Sequence, residues 1–99
     1  IVDETATSTD VFRALLELGK IELEANKDYE AAIEYFDKAK NEMPGSAGPY
    51  YFLALTYSRM PGKKDKAVEY GEVFLEIEPN SRYADQIKTL IDRISAEKP

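Results

Sequence analysis

The side chains of this chain that could do chemistry are carboxylates and serines. Acidic pairs such as Glu22 and Glu24 have an i, i+2 spacing, which on a helix points the two carboxylates apart. The chain has no Cys and no His, so it lacks a thiol nucleophile, a thiolate zinc site and the usual acid–base group near neutral pH. Ser46 and Ser81 are better explained as helix caps than as nucleophiles. We therefore expect no catalysis, no cofactor and no metal ion.

The composition argues against two classes of partner. The net charge is −6 over 99 residues, whereas a nucleic-acid-binding surface needs an excess of Lys and Arg to displace counterions from phosphates. No apolar run approaches the ~18 residues that would cross a bilayer. We therefore expect neither nucleic acid nor a membrane among the partners. The acidity is uneven, because residues 1–43 carry 11 acids and 5 bases while residues 44–99 carry 8 of each.

The spacing of apolar residues predicts helices along most of the chain. Between residues 28 and 43, apolar side chains recur every three or four positions, which is the pattern of an amphipathic helix. Pro44, Pro61 and Pro79 divide the chain, because proline cannot continue a helix. Polar residues that favour N-caps precede the segments: Thr9 or Asp10, Asp28, Ser46, and Asn80 or Ser81. The pattern predicts an all-α fold of five helices.

An internal repeat organises the middle of the chain. The segment Ala32–Tyr35 recurs as Ala67–Tyr70, and Pro44 recurs as Pro79, both at an offset of 35 residues. Each unit contains two predicted helices. A fixed period of this length with two helices per unit is the sequence signature of a helical solenoid.

The two units resemble the tetratricopeptide repeat (TPR) family. The second unit carries the first-helix part of the family pattern and the first unit carries the second-helix part: Tyr50, Leu53, Ala54 and Tyr57, then Tyr29, Ala32, Phe36, Ala39 and Pro44. The resemblance implies an α-solenoid of two TPR-like helix-turn-helix repeats, 10–44 and 45–79, followed by a C-terminal capping helix, 80–96. Residues 1–9 are expected to form a disordered lead, and the absence of an initiating Met favours a processed or excised chain.

Two positions depart from the repeat. Phe36 and Ala39 of the first unit become Gly71 and Phe74 in the second, so a large and a small side chain have exchanged places one helical turn apart. A glycine inside a helix costs about 1 kcal/mol relative to alanine. We therefore expect Gly71 to let a neighbouring helix approach closely while Phe74 fills the adjacent volume.

The TPR resemblance implies a concave groove lined by the first helix of each unit. The groove positions that the repeat pattern leaves available form the predicted partner-binding site: Leu16, Lys20, Leu23, Tyr51, Leu55, Ser58 and Arg59. Tyr51 and Arg59 are favoured because Tyr and Arg are enriched in binding hot spots. We predict a non-catalytic protein–protein interaction module that binds a peptide or helix of a partner protein in this groove. In the alternative, the same faces join copies of the chain, as in a homodimer.

The residue types in the groove bear on the chemistry of the partner. One TPR subtype grips C-terminal carboxylates with basic and amide side chains, but only Lys20 is basic among the matching positions here. An apolar or aromatic partner segment is therefore favoured. A basic spot is formed separately by Arg59 with Lys63, Lys64 and Lys66. It is either a solvated loop or a docking point for an acidic segment, which would speed association more than tighten it.

Overall fold

The computed structural model describes residues 7–97, and these residues form five helices and no strand. The helices are Ser8–Ile21 (α1, continued by a π-helical segment, Glu22–Asn26), Tyr29–Glu42 (α2), Gly48–Ser58 (α3), Lys64–Ile77 (α4) and Ala84–Glu97 (α5). The predicted all-α class with five helices is confirmed.

α1 begins with a reciprocal pair of hydrogen bonds between Thr7 and Asp10. The Asp10 backbone N–H donates to Thr7 Oγ1 and the Thr7 backbone N–H donates to Asp10 Oδ2, both at 3.2 Å. This capping box satisfies two backbone donors at the start of the helix. The predicted cap at Thr9 or Asp10 is therefore wrong. The expected disordered lead, residues 1–9, is wrong for its last three residues, and residues 1–6 lie outside the described range.

The next two helix starts follow different rules. Asp28 caps α2 as predicted, because its side chain accepts a hydrogen bond of 3.1 Å from the Ala31 N–H. The predicted cap of α3 at Ser46 is wrong, since the N-cap position is Ala47 and no side chain caps it. Pro49 lies in the first turn of α3. The backbone N–H groups of a first turn have no acceptor within the helix, so the N–H that proline lacks costs no helical hydrogen bond.

α5 starts later than the predicted capping helix, 80–96. It begins at Ala84, after a turn in which the Tyr83 N–H donates to Ser81 Oγ at 2.9 Å, and it continues through Glu97. Ser81 therefore orders the turn that leads into α5, in place of the expected direct cap.

The helices repeat with the period of the sequence. α2 and α4 each have 14 residues, and their first residues, Tyr29 and Lys64, are 35 positions apart. α1 packs on α2 and α3 packs on α4, and contacts of α2 with α3 and of α4 with α5 join the pairs in chain order. The described chain is a stack of two helical hairpins followed by a fifth helix.

The turns inside the two hairpins have different conformations. In the first, the helix continues as the π-helical segment and Lys27 then adopts a left-handed φ of 52°. In the second, α3 ends at Ser58 and the turn contains Gly62 with a φ of 76°. The two units thus keep the 35-residue spacing although the backbone conformations of their turns differ.

The core consists of two clusters of buried side chains. The first joins α1 and α2 to α3: Leu23, Ala32, Phe36 and Leu53. The second joins α3 and α4 to α5: Ala47, Ala54, Ala67, Phe74, Ile87, Leu90 and Ile94. Each cluster packs one hairpin against the helix that follows it, so stability depends on the stacking of successive units.

α5 approaches α4 closely at Gly71. A Cβ placed on Gly71 would lie 3.1 Å from Cγ2 of Ile87 and 3.2 Å from Cδ1 of Ile91. Both distances are shorter than the ~3.5–4.0 Å of optimal carbon–carbon contacts. Phe74 is buried one turn later in the same cluster. The expected close approach at Gly71 is confirmed.

Candidate partner-binding surface

A cleft of about 390 Å³ lies between α3 and α5, and we call it the α3–α5 cleft. Its α3 wall contains Leu55, Ser58 and Arg59, three of the predicted partner-binding residues. The rest of its lining comes from α5 and the start of α4: Gln86, Leu90, Arg93, Ile94, Glu97 and Lys64. A volume of this order is typical of sites that enclose a small ligand or a few side chains.

The α5 residues of this cleft are absent from the predicted site. Leu90 and Arg93 stand 35 positions after Leu55 and Ser58, so the repeat brings equivalent positions of successive units face to face. The 35-residue offset, applied to the groove positions as well as to the repeat pattern, is the signal that locates them.

The α3–α5 cleft carries a local excess of positive charge. Arg59, Lys64 and Arg93 line it together with a single carboxylate, Glu97, whose Oε1 lies 2.8 Å from Lys64 Nζ. The hydrogen bond from Lys64 and the charge of that ammonium hold the pKa of Glu97 below its usual value. Arg59 Nη1 is 3.8 Å from Glu24 Oε1, and so loose an exposed pair contributes little. Two positive charges are thus left in excess in a chain of net charge −6.

A second cleft, of about 480 Å³, lies beside the start of α3, and we call it the aromatic cleft. Its lining is Ala47, Gly48, Tyr51, Phe52, Phe74, Glu78 and Tyr83. The ring of Tyr51 has three aromatic neighbours there, with centroids between 5.0 and 5.6 Å from its own. These separations are typical of attractive aromatic pairs.

Tyr51 connects the two clefts. Its ring lines the aromatic cleft, and its hydroxyl donates a hydrogen bond of 2.8 Å to Oε1 of Gln86, which lines the α3–α5 cleft. Burial raises the pKa of Tyr51, and the hydrogen bond to Gln86 opposes that rise. The phenol therefore stays protonated at neutral pH and keeps its donor role.

The three predicted site residues on α1 and its π-helical continuation have different surroundings. Lys20 is half-buried, with Nζ 5.7 Å from the centroid of the Phe52 ring and 3.1 Å from Glu17 Oε2. Leu16 is half-buried against the first core cluster. Leu23 is fully buried in that cluster, so the predicted partner contact at Leu23 is wrong.

Further observations concern metal ligands, membrane spans and similarity to known proteins. Within residues 7–97, no three or more Asp or Glu side chains form a group that could hold a metal ion. None of the helices there combines the length and apolarity needed to traverse a bilayer. No model of a known protein family matches the chain, and neither does any curated protein or solved structure. The geometry of the two clefts is therefore the basis for assigning a function.

Proposed function

We propose that this protein is a non-catalytic binding module of the TPR type, which holds a peptide of a partner protein across the aromatic cleft and the α3–α5 cleft. The observation that supports this is the junction of the two clefts at the Tyr51–Gln86 hydrogen bond. Leu55 and Arg59, which the TPR resemblance assigns to the expected groove, line the α3–α5 cleft.

The lining of the clefts defines the chemistry of the bound peptide. The aromatic cleft suits a large apolar side chain, which would be surrounded by rings. In the α3–α5 cleft, Arg59 and Arg93 can each pair with a carboxylate in the two-pronged geometry that a guanidinium favours. The half-buried Leu55 supplies apolar contact in the same cleft. We therefore expect a peptide that carries acidic residues next to a large apolar residue.

The titratable groups of the clefts support a non-catalytic role. A general acid or base works best with a pKa near the working pH. The lowered pKa of Glu97 keeps that carboxylate ionised at neutral pH, and the raised pKa of Tyr51 keeps that phenol protonated. The remaining charged groups that line the clefts are Arg59, Lys64, Arg93 and Glu78.

Selection of binders from a random peptide library, followed by titration of the selected peptides, tests the proposal. Arg93→Ala should weaken binding about tenfold, since one charge-assisted pair is lost. Glu97→Gln should strengthen binding, because it removes the carboxylate that competes for Lys64. Lys88→Ala is the matched control, because Lys88 is exposed on α5 and lines neither cleft. Tyr51→Ala/Arg59→Ala should abolish binding.

Two results would contradict this function. One is the selection of basic peptides, and the other is binding that neither Arg93→Ala nor Arg59→Ala changes. Light scattering on the same samples tests the self-assembly alternative. If the chain forms a stable dimer that Leu55→Ala dissociates, the occupant of the clefts is a second copy of the chain and not a peptide. A monomer across the usable concentrations supports peptide binding.

A further inference from the structure

α1 has a second apolar face, which no part of residues 7–97 covers. Val11, Leu18 and Ile21 are 40%, 43% and 50% exposed, and Ala14 is exposed between them. Intervals of three and four residues place these four side chains along one side of the helix, which we call the outer face of α1. The other side of α1 packs on α2, for example at the buried Gly19.

The repeat shows what covers the equivalent face inside the domain. Counting 35 residues forward from Ala14, Leu18 and Ile21 reaches a face of α3 that is fully buried: Pro49, Leu53 and Thr56. α2 packs against α3 and contributes Ala32 and Phe36 to the cluster around Leu53. The outer face of α1 therefore occupies the repeat positions that, in α3, form the face on which α2 packs.

The charged residues nearest to the outer face are acidic, and Arg13 and Lys20 lie farther round the helix. On a helical wheel, Asp10 and Glu17 lie on one side of the apolar stripe and Glu22 on the other. Glu17 pairs with Lys20 at 3.1 Å, but the Glu17 side chain is still 61% exposed. Basic residues on an incoming helix would find opposite charges on both sides of the stripe.

A second copy of the chain is a poor match for this face. Pairing two outer faces about a two-fold axis would bring the acidic flanks of both copies together, which is destabilising. The stripe from Val11 to Ile21 is also only about 15 Å long at the helical rise of ~1.5 Å per residue. Head-to-tail stacking has no partner surface either, because α5 exposes a polar outer side: Asp85, Lys88, Thr89 and Asp92.

We propose that the outer face of α1 binds an amphipathic helix of a partner protein, which packs on α1 as α2 packs on α3. That helix carries small and aromatic residues at the spacing of Ala32, Phe36 and Ala39, and it carries Lys or Arg beside this stripe. The site is separate from the two clefts, so a single chain can hold two partner segments at once.

Two synthetic peptides test this site on the full chain. Both keep the spacing of Ala32, Phe36 and Ala39; the basic peptide has Lys at the flanking positions, and the acidic peptide has Glu there. In fluorescence anisotropy titrations the basic peptide should bind at least about tenfold more tightly. The preference should decrease at high salt, because the flanking charges are exposed and therefore screened.

Substitutions locate the binding on the molecule. Leu18→Gln/Ile21→Gln should weaken the basic peptide at least about tenfold, and circular dichroism and thermal unfolding verify that the variant is folded. Ile77→Gln is the matched control, because Ile77 is 39% exposed at the far end of α4. Glu17→Gln/Glu22→Gln should remove the preference for the basic peptide. Arg93→Ala should leave this binding unchanged, which separates the site from the α3–α5 cleft.

Four outcomes would overturn the proposal. The first is equal binding of the two peptides, or binding of neither. The second is binding that Leu18→Gln/Ile21→Gln does not weaken. The third is a dimer, measured by light scattering, that this double substitution dissociates, because the occupant would then be a second copy. The fourth is binding to phosphatidylcholine vesicles that the same substitution abolishes, because the face would then contact lipid.

Discussion

The ring of Phe36 occupies the space that a side chain on Gly19 would need. A Cβ placed on Gly19 falls 2.5 Å from Cε1 of Phe36 and 2.8 Å from Cδ1. Phe36 is fully buried and stacks on Phe52 with the ring centroids 5.2 Å apart, so its ring cannot move without disturbing the first core cluster. The separation of α1 and α2 therefore requires a glycine at position 19.

Gly19→Ala should lower the free energy of unfolding by about 1–3 kcal/mol, as overpacking of a core does. The loss occurs even though alanine is the better helix former by about 1 kcal/mol. Urea denaturation measures it. Gly45→Ala is the control, because no atom lies within 4 Å of the added Cβ, and it should change stability by less than about 0.5 kcal/mol. A Gly19→Ala variant as stable as the parent would show that the Phe36 ring can move.

The second hairpin has two small residues at the equivalent positions. Ala54 stands 35 residues after Gly19, and Gly71 stands 35 residues after Phe36. The glycine on α4 then leaves room for α5, whose Ile87 and Ile91 approach it. In the first unit, Gly19 and Phe36 pack α1 against α2. In the second unit, the equivalent of Phe36 is Gly71, which packs α4 against α5.

Gly71→Ala should lower the free energy of unfolding by up to about 1 kcal/mol, because the overpacking cost exceeds the gain in helix propensity. The loss is smaller than at Gly19, since the nearest atoms are methyl groups of Ile87 and Ile91 at 3.1 and 3.2 Å. Thermal unfolding of Gly71→Ala, Ile91→Val and the double variant measures the coupling. Removing Cδ1 of Ile91 should cost less in the Gly71→Ala background than in the parent. A rise in the melting temperature of Gly71→Ala would contradict the close contact.

The sequence predicted the helix ends that local chemistry decides. Asp28 caps α2 with its own side chain, and Pro44 and Pro79 follow the ends of α2 and α4 because proline cannot continue a helix. Ser46 has the chemistry of a cap as well, but α3 starts two residues later at Gly48 and leaves it outside. A propensity rule does not specify which of several acceptable residues the tertiary structure places at the helix start.

Two of the predicted site residues occupy equivalent repeat positions but have different surroundings. Leu23 and Ser58 are 35 residues apart, yet Ser58 lines the α3–α5 cleft and Leu23 is fully buried. Ser58 ends an α-helix, whereas Leu23 lies in the π-helical segment Glu22–Asn26. Leu23 lies four residues after the buried Gly19, so it falls on the side of the helix that packs on α2. Its assignment to the partner site rested on its repeat position, which does not show how deeply a side chain is buried.

Leu53→Ala should lower the free energy of unfolding by about 2–5 kcal/mol, because Leu53 is fully buried between the first hairpin and α3. Leu18→Ala, at the equivalent position of the first unit, should cost less than about 1 kcal/mol, since Leu18 is exposed. Urea denaturation of both variants gives the comparison. Equal losses would mean that the outer face of α1 is already covered in the free protein.

The ion pair between Lys64 and Glu97 makes a prediction for pH. The hydrogen bond from Lys64 and its positive charge lower the pKa of Glu97 below its ordinary value, so the folded state holds the ionised carboxylate more firmly than the unfolded state does. The stability that this pair contributes is therefore present above the unfolded pKa and is lost as the pH falls through the folded value. Lys64→Ala should return the pKa of Glu97 towards its ordinary value, and the control Lys63→Ala should leave it lowered. NMR titration of the Glu97 carboxyl carbon measures both. A titration that Lys64→Ala does not change would show that the pair, and with it the link between the start of α4 and the end of α5, is absent in solution.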